Sequence, residues 1–371
     1  MNGVQPYPRT WIELNLENLR HNLAVVKRDW RPGQLLALVC KADAYGHGLV
    51  PIGRFAAQNG ADWLAVATVQ EGVALRDAGV DVPIMVMSPV LTIEADQAVF
   101  YQLDIFVESS EMVEAVSRAA VHQGRTGFVH IKVDTGLHRF GVQPDGVAAL
   151  LNTILTSKQV ELRGIAQHYI DSLNDPERTA QQTKAFEACL AKVPSGTLVH
   201  AANSAAARHL GESGTSLARV GIHAYGLAPG GRFQDDLRPV MTWRARLTSL
   251  RRIAQGETVS YSGTWQADRP SLIGTLGVGY GDGYPRSLSS KGVVWMAGQR
   301  CPIVGLVCMD QMMIDLTDFQ GNPQIGDVVE LLGENLLATE LAKRAGTNTH
   351  EIVTRIMTRV SRRYLHPRSG G

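Results

Sequence analysis

The sequence predicts an α/β protein: an N-terminal (β/α)8 barrel of the TIM type followed by a mainly-β C-terminal domain. Three observations predict it. From Leu35 to about Gly226, short apolar runs alternate with amphipathic stretches. After Arg238-Pro239 the helical periodicity gives way to strand-like pieces separated by glycine-rich turns. The chain, at 371 residues, is also too long for one ordinary core.

The apolar runs are Leu35–Cys40, Trp63–Thr68, Pro83–Ser88, Asp104–Val107, Phe128–Val133, Leu162–Gln167, Leu198–Ala202 and Ala218–Ile222. Their length and β-branched content suit strands buried on both faces. Helical patterns lie between them at Val50–Gln58, Val69–Ala78, Glu111–His122, Asp145–Thr156 and Glu177–Lys192, and Leu16–Arg28 precedes the first strand as a helix to pack across the barrel bottom. Repeated strand–helix units over about 200 residues fit a closed barrel better than an open sheet. An open doubly wound sheet is the alternative, and no GxGxxG after the first strand supports it.

The second half reads as strands at Val240–Leu250, Ser271–Val278, Val293–Ala297, Ile303–Val307, Met312–Leu316 and Val328–Leu332. Helices at Ala338–Ala345 and Thr349–Ser361 close the chain. The expected domains are 10–238 for the barrel and 239–365 for the β domain, with the first few N-terminal residues joining the latter and 366–371 a disordered tail.

Composition excludes several classes. Net charge is +1, so no general field draws nucleic acid or an anionic membrane, and an anionic ligand must be held by local groups. Cys40, Cys189, Cys301 and Cys308 lie far apart without metal-ligand spacing and read as free thiols in a reducing compartment. Met1 to Thr10 lacks the apolar core of a signal peptide, and no run of about 18 apolar residues occurs. A soluble cytoplasmic protein without a metal is expected.

Barrel enzymes place chemistry at the C-terminal ends of strands, and Lys41 falls just past the first. Alone it reads as a solvated strand end. It is followed by Tyr45-Gly46-His47-Gly48, a phenol, an imidazole and two conformationally free glycines in one loop. A lysine amine so placed suits a Schiff base with a carbonyl cofactor. The seventh strand runs into Asn203-Ser204-Ala205, and the eighth ends in Gly221-Ile222. Each alone is an N-cap or a turn. Together, at the strands that favour phosphate, they point to a phosphorylated cofactor.

The run Lys41-Ala42-Asp43-Ala44-Tyr45-Gly46-His47-Gly48 resembles the pyridoxal-phosphate attachment signature of alanine racemases. Further segments resemble that family in the same order: Trp11-Ile12-Glu13, Val133 to Gly141, Asn203-Ser204-Ala205, Arg219-Val220-Gly221-Ile222, Val259-Ser260-Tyr261, Gly279 to Gly283, Val307-Cys308-Met309-Asp310-Gln311 and Arg362-Arg363-Tyr364. The resemblance implies a racemase that interconverts L- and D-alanine with pyridoxal 5'-phosphate and supplies D-alanine for peptidoglycan. It also implies a homodimer whose active sites are shared between subunits.

Racemisation needs a base on each face of a planar carbanion, because a single base only returns the proton it took. By the resemblance, Lys41 is one base and Tyr261, delivered by the other subunit, is the second. A phenol needs help to act as a base at neutral pH; His168 matches the histidine that contacts it, with Arg219 behind. Arg219 matches the residue facing the pyridine nitrogen. Having no lone pair, it leaves that nitrogen unprotonated, which implies a short-lived carbanion and few side reactions.

The same carry-over gives Tyr45, Asn203, Ser204, Gly221, Ile222 and Tyr364 to the cofactor. Arg139 and the Met309 N–H go to the substrate carboxylate. Lys132 matches a position that is carbamylated in some members, Tyr280 lines a narrow entrance, and Asp310 has a supporting place. One segment departs from the family: His168-Tyr169-Ile170-Asp171-Ser172-Leu173 stands where Phe-Ala and Ala-Asp usually follow the histidine. That loop leaves a broader racemase, acting on serine or larger amino acids, as the nearest rival. A decarboxylase of the same fold would use a cysteine such as Cys308, but would place a carboxylate where Arg219 stands. A non-enzymatic pyridoxal-binding protein would end near the eighth strand.

Overall fold

The computed structural model describes residues 8–207, 214–227 and 236–366. By contact the chain divides into two units: one comprises Asn22–Ala44 and Gly48–Ala224, and the other holds the N-terminal residues to His21, Tyr45–His47 and the chain from Tyr225 on. The C-terminal residues 367–371, and with them nearly all of the expected tail, lie outside the described residues.

The chain opens on β1 (Thr10–Asn15) and α1 (Leu16–Lys27). The barrel unit follows with strands β2 (Leu35–Val39), β3 (Trp63–Val66), β4 (Ile84–Val86), β5 (Asp104–Val107), β6 (Gly127–Lys132), β7 (Val160–Ala166), β8 (Leu198–His200) and β9 (Leu217–Val220). They pair in parallel in the order β8-β7-β6-β5-β4-β3-β2-β9. The sheet's ends meet where Ser216 N donates to Val199 O (2.8 Å) and Arg219 N to Ala202 O (2.9 Å). Strands β3, β4 and β5 are buried at every position, the pattern that continuous apolar runs predict for a parallel sheet covered on both faces.

The helices of this unit are α2 (Lys41–Gly46), α3 (Leu49–Gln58), α4 (Val69–Asp77), α5 (Ala95–Phe100), α6 (Ser110–Gln123), α7 (Val147–Thr156) and α8 (Pro176–Ala188). Side chains cap several of them: Thr68 accepts from Glu71 N, Ser109 from Met112 N and Asp175 from Arg178 N. Sequence periodicity misses α5, which is too short to show a pattern. The expected helix Glu177–Lys192 ends at Ala188 and finishes as a 3-10 turn.

The second unit contains β10 (Met241–Ile253), β11 (Thr258–Val259), β12 (Trp265–Gln266), β13 (Ser271–Leu276), β14 (Val293–Met296), β15 (Gln299–Val304), β16 (Met312–Asp315) and β17 (Val328–Leu332), then α9 (Ala338–Ala345), α10 (Thr349–Thr354) and β18 (Ser361–Leu365). Its sheet runs β13-β16-β15-β14-β17-β10-β1-β18 and closes on itself because β10 also pairs with β13. One strand serves three neighbours because β10 is long and its register shifts at Leu247/Ser249. The expected last helix, Thr349–Ser361, is a correction: it stops at Thr354, and Ser361–Leu365 is a strand parallel to β1. The Arg362 guanidinium collects the carbonyls of Ile356, Met357 and Val360, which holds the intervening chain out of a helix.

Candidate active site

Lys41 follows β2 and opens a left-handed turn, where the sequence reads as a plain loop. Ala42, Asp43, Ala44 and Tyr45 have φ of 53°, 55°, 52° and 56°. Left-handed backbone costs an L-residue about 1–2 kcal/mol, so the turn needs outside support. Within the barrel unit that support is explicit. Ala42 N donates to Glu71 Oε1 (2.7 Å), Leu49 N to Asp43 Oδ1 (2.8 Å) and Gly48 N to Asp43 O (2.8 Å). Lys41 is half-buried; desolvation and the Arg139 charge lower its pKa against the pull of Glu71. An amine so tuned is a nucleophile and base closer to neutral pH than an exposed lysine.

Arg219, on β9, is buried, and the positions of its donors are the most informative geometry in the molecule. Nη1 donates to His200 Nδ1 (2.9 Å) and His200 O (2.8 Å). Nη2 donates to Gln167 O (2.6 Å) and His168 Nδ1 (3.3 Å). Those contacts use the terminal N–H groups and leave Nε–H without a partner among the described residues. No carboxylate forms an ion pair with Arg219 among them. A leftover cationic donor with no lone pair suits a ring nitrogen that accepts.

His168, at the end of β7, receives an Arg219 N–H on Nδ1, so its own hydrogen sits on Nε2. Burial, with Arg219, Arg139, Lys132 and Lys41 around it, pushes its pKa down to about 3. Lys132, the last residue of β6, is buried with its amine on Val133 O (2.6 Å) and lies over the Phe140 ring. Burial first, then Arg219, lowers its pKa to about 8. Arg139 is exposed, in the loop after β6, within electrostatic reach of Lys41, Lys132, His168 and Arg219. This cluster of cations is a local positive field of the kind an anionic ligand needs in a chain of low net charge.

Ser204 and Gly221 meet, with Gly221 N donating to Ser204 Oγ (2.9 Å). Ile222 beside them is buried. Asn203 plays a loop role as well: its Oδ1 accepts Ser172 Oγ (2.8 Å) and Ala206 N (3.1 Å), tying the atypical 169–173 loop to the strand-seven turn.

The other unit holds the remaining expected residues. Tyr45 stacks obliquely on Tyr225 (4.9 Å) and lies near His350 (5.8 Å). Tyr364 OH donates to His47 O (3.1 Å), and Arg362 holds Gly46 O, so β18 clamps this end of the lysine loop. A Cβ at Gly46 would lie 2.3 Å from Val353 O, the close approach that requires glycine there. Tyr280 N donates to Cys308 O (2.9 Å) and Gly281 N to Met309 O (2.8 Å), which brings the glycine loop beside Met309. Asp310 accepts Arg359 Nη2 (2.7 Å), and the same guanidinium holds Asp282 (2.7 Å). Sequence reasoning passed over Arg359, whose only signal was its place in a basic C-terminal stretch.

Tyr261 follows β11 on a turn with Ser260 and Ser262 at φ 70° and 61°. It is 72% exposed, and its hydroxyl makes no hydrogen bond to the described residues of its own chain. Ser260 Oγ holds Leu306 O (2.8 Å) and meets Cys308 Sγ (3.5 Å), so that cysteine props the tyrosine loop. All four cysteines are free.

A desolvated lysine and an arginine with no carboxylate partner among the described residues, on a (β/α)8 barrel in a chain that adds a closed β domain, fit the class of lysine-bearing barrel enzymes. The model of the alanine racemase N-terminal domain matches residues 14–229, and that of the C-terminal domain matches 240–364. The chain belongs to the alanine racemase family, and its reaction is the interconversion of L- and D-alanine. It is 38% identical to an alanine racemase of Symbiobacterium thermophilum over 98% of both chains. Among solved structures, it matches alanine racemase from Streptomyces lavendulae with a TM-score of 0.92 at 32% identity over 98% of each chain. Alanine racemase from Bartonella henselae, described with covalently bound pyridoxal phosphate, matches with a TM-score of 0.88 at 28% identity, covering 96% of this chain and 100% of that one. These matches set aside the decarboxylase and the non-enzymatic binding protein. Among the described residues no helix is long and apolar enough to cross a membrane.

Proposed function

We propose that the chain racemises alanine with pyridoxal 5'-phosphate attached to Lys41, using Lys41 and Tyr261 as opposed bases, as a cytoplasmic homodimer in which each Tyr261 serves the other subunit's site. The observation that carries this reading is Arg219, a buried cation with its Nε–H left over and no carboxylate paired with it among the described residues. When bound, pyridoxal phosphate withdraws electrons from the substrate's α-carbon and makes its proton removable.

Lys41 Nζ takes or returns that proton on one face, and burial, by lowering its pKa, makes the free base easier to reach than in an exposed lysine. Tyr261 Oη serves the opposite face, and an exposed phenol is available to a second copy of the chain. The Nε2–H of His168 stabilises the phenolate that this role requires, and the cations around it favour that charge. Arg219 offers a donor to the ring nitrogen without supplying a proton that can transfer. Arg139 and the Met309 N–H hold the substrate carboxylate, with Lys132 setting the arginine's position. Tyr45, Ser204, Gly221, Ile222 and Tyr364 hold the phosphate, with Asn203 beside them on the cofactor, Tyr280 narrows the entrance, and Asp310 braces that loop through Arg359.

A second reading, a racemase accepting serine or larger side chains, is favoured by the tethered 169–173 loop. Purified enzyme should racemise L-alanine faster than L-serine or L-lysine; activity on these with none on alanine sinks the first reading. Lys41→Ala should lose both the yellow of the bound cofactor and turnover.

A further inference from the structure

Arg219 also ends a second chain of hydrogen bonds that the steps above leave unused. Its Nη1 reaches His200 Nδ1 (2.9 Å), His200 Nε2 meets His130 Nδ1 (2.9 Å), and His130 Nε2 meets Asp104 Oδ2 (3.1 Å). At the far end Arg163 Nη1 holds Asp104 Oδ1 (3.2 Å). Asp104, His130 and His200 are each 0% exposed.

The direction of every link follows from one end. A guanidinium only donates, so His200 Nδ1 accepts. That imidazole therefore carries its hydrogen on Nε2 and donates it to His130 Nδ1. His130 in turn carries its hydrogen on Nε2 and donates to the carboxylate. Asp104, an acceptor, closes the chain consistently from the other side.

Gly164 on β7 is an independent sign that the link between the histidines is built for. A Cβ there would lie 2.1 Å from His130 Nδ1 and 3.0 Å from His200 Nε2. Its φ is not positive, so the backbone has no need of glycine. What the missing side chain provides is room for that hydrogen bond.

We propose that Asp104, His130 and His200 are positioning residues for racemisation, a one-way hydrogen-bond chain that holds the His200 ring as an acceptor for Arg219 and so steadies the guanidinium. The proposal rests on the role given to Arg219 above. Breaking the chain frees the His200 ring and leaves Nη1 to the His200 carbonyl, which loosens Arg219 on that side and lowers kcat, while substrate binding through Arg139 is untouched.

The test is 15N NMR of histidine-labelled protein, with and without pyridoxal phosphate, together with steady-state kinetics on L-alanine. Wild type should show Nε2–H tautomers for His130 and His200 and a scalar coupling across the nitrogen pair between them. Gly164→Ala should lose the coupling and Asp104→Ala should mix the His130 tautomers. In each, kcat should fall by about tenfold while KM stays within about twofold. A wild-type His200 with its hydrogen on Nδ1, or without the coupling, overturns the proposal. So does a folded variant that keeps its kcat, or one that loses kcat with tautomers and coupling intact. If neither variant folds, the wild-type spectrum decides. Failure of Lys41 to take up pyridoxal phosphate would sink the site reading instead, a result separable because the tautomers are also read without cofactor.

Discussion

Glu71 Oε1 accepts the amide of Ala42 at 2.7 Å, while its Oε2 accepts Ala67 N at 2.8 Å and Thr68 N at 3.3 Å. One carboxylate thus ties the end of β3 to the first strained residue after Lys41. Charge-assisted hydrogen bonds of this kind are worth about 1.5–3 kcal/mol each. Glu71→Ala should lower stability to urea by about 3 kcal/mol. Thr68→Ala, which removes only the helix cap, should cost about 1 kcal/mol. Equal losses in the two variants would mean that the turn does not depend on the carboxylate.

His168 gives a pH dependence with a defined sign. Its native pKa is held at about 3, below the 6.5 of an unhindered imidazole. The unfolded chain therefore binds a proton there between those values and the native chain does not. Stability falls as pH drops from about 6.5 toward 3, by at most about 1.4 kcal/mol per pH unit from this group. His168→Gln, which keeps an amide for hydrogen bonding and cannot titrate, should flatten that part of the acid limb in calorimetry. An unchanged slope would assign the acid sensitivity to other groups.

Tyr261→Ala should keep the cofactor and still exchange the α-hydrogen of one alanine enantiomer with solvent deuterium. Racemisation should fall by about 10²–10⁴-fold, the usual loss for a missing acid–base group. Unaltered exchange of both enantiomers would remove Tyr261 from the mechanism.

Lys132 is buried with a pKa lowered to about 8, so much of its amine is uncharged in mildly alkaline buffer and open to carbon dioxide. Intact mass in CO2-rich buffer should exceed that in CO2-free buffer by one carbamate, and Lys132→Ala should abolish the difference. No mass change in wild type would leave Lys132 acting as an amine alone.

The barrel was legible because each of its strands is a short apolar run, as at Asp104–Val107, where the expected and observed limits coincide. The end of the chain was less so. Thr349 to Val360 carries helical spacing, but the bonds from Arg362 to three carbonyls of that segment override it, and no local pattern announces them. Candidate site residues carried by the family's motifs, such as Lys41 and Arg219, could be named from the sequence. Glu71 was hidden because its bond to Ala42 spans 29 residues, and nothing in Ala42 or Ala44 signals positive φ. Asp104, His130 and His200 sit inside apolar runs on separate strands, where each alone looks like a buried polar exception.

The turn after Lys41 has a stereochemical consequence. Ala42 and Ala44 occupy the backbone region that residues of the opposite hand adopt without strain. An enzyme whose product is D-alanine therefore holds L-alanine in mirror-image conformation beside Lys41. In a semisynthetic chain, D-alanine at position 42 should relax the segment by about 1 kcal/mol, so handedness can be used to tune the tension on Lys41 without changing a single functional group.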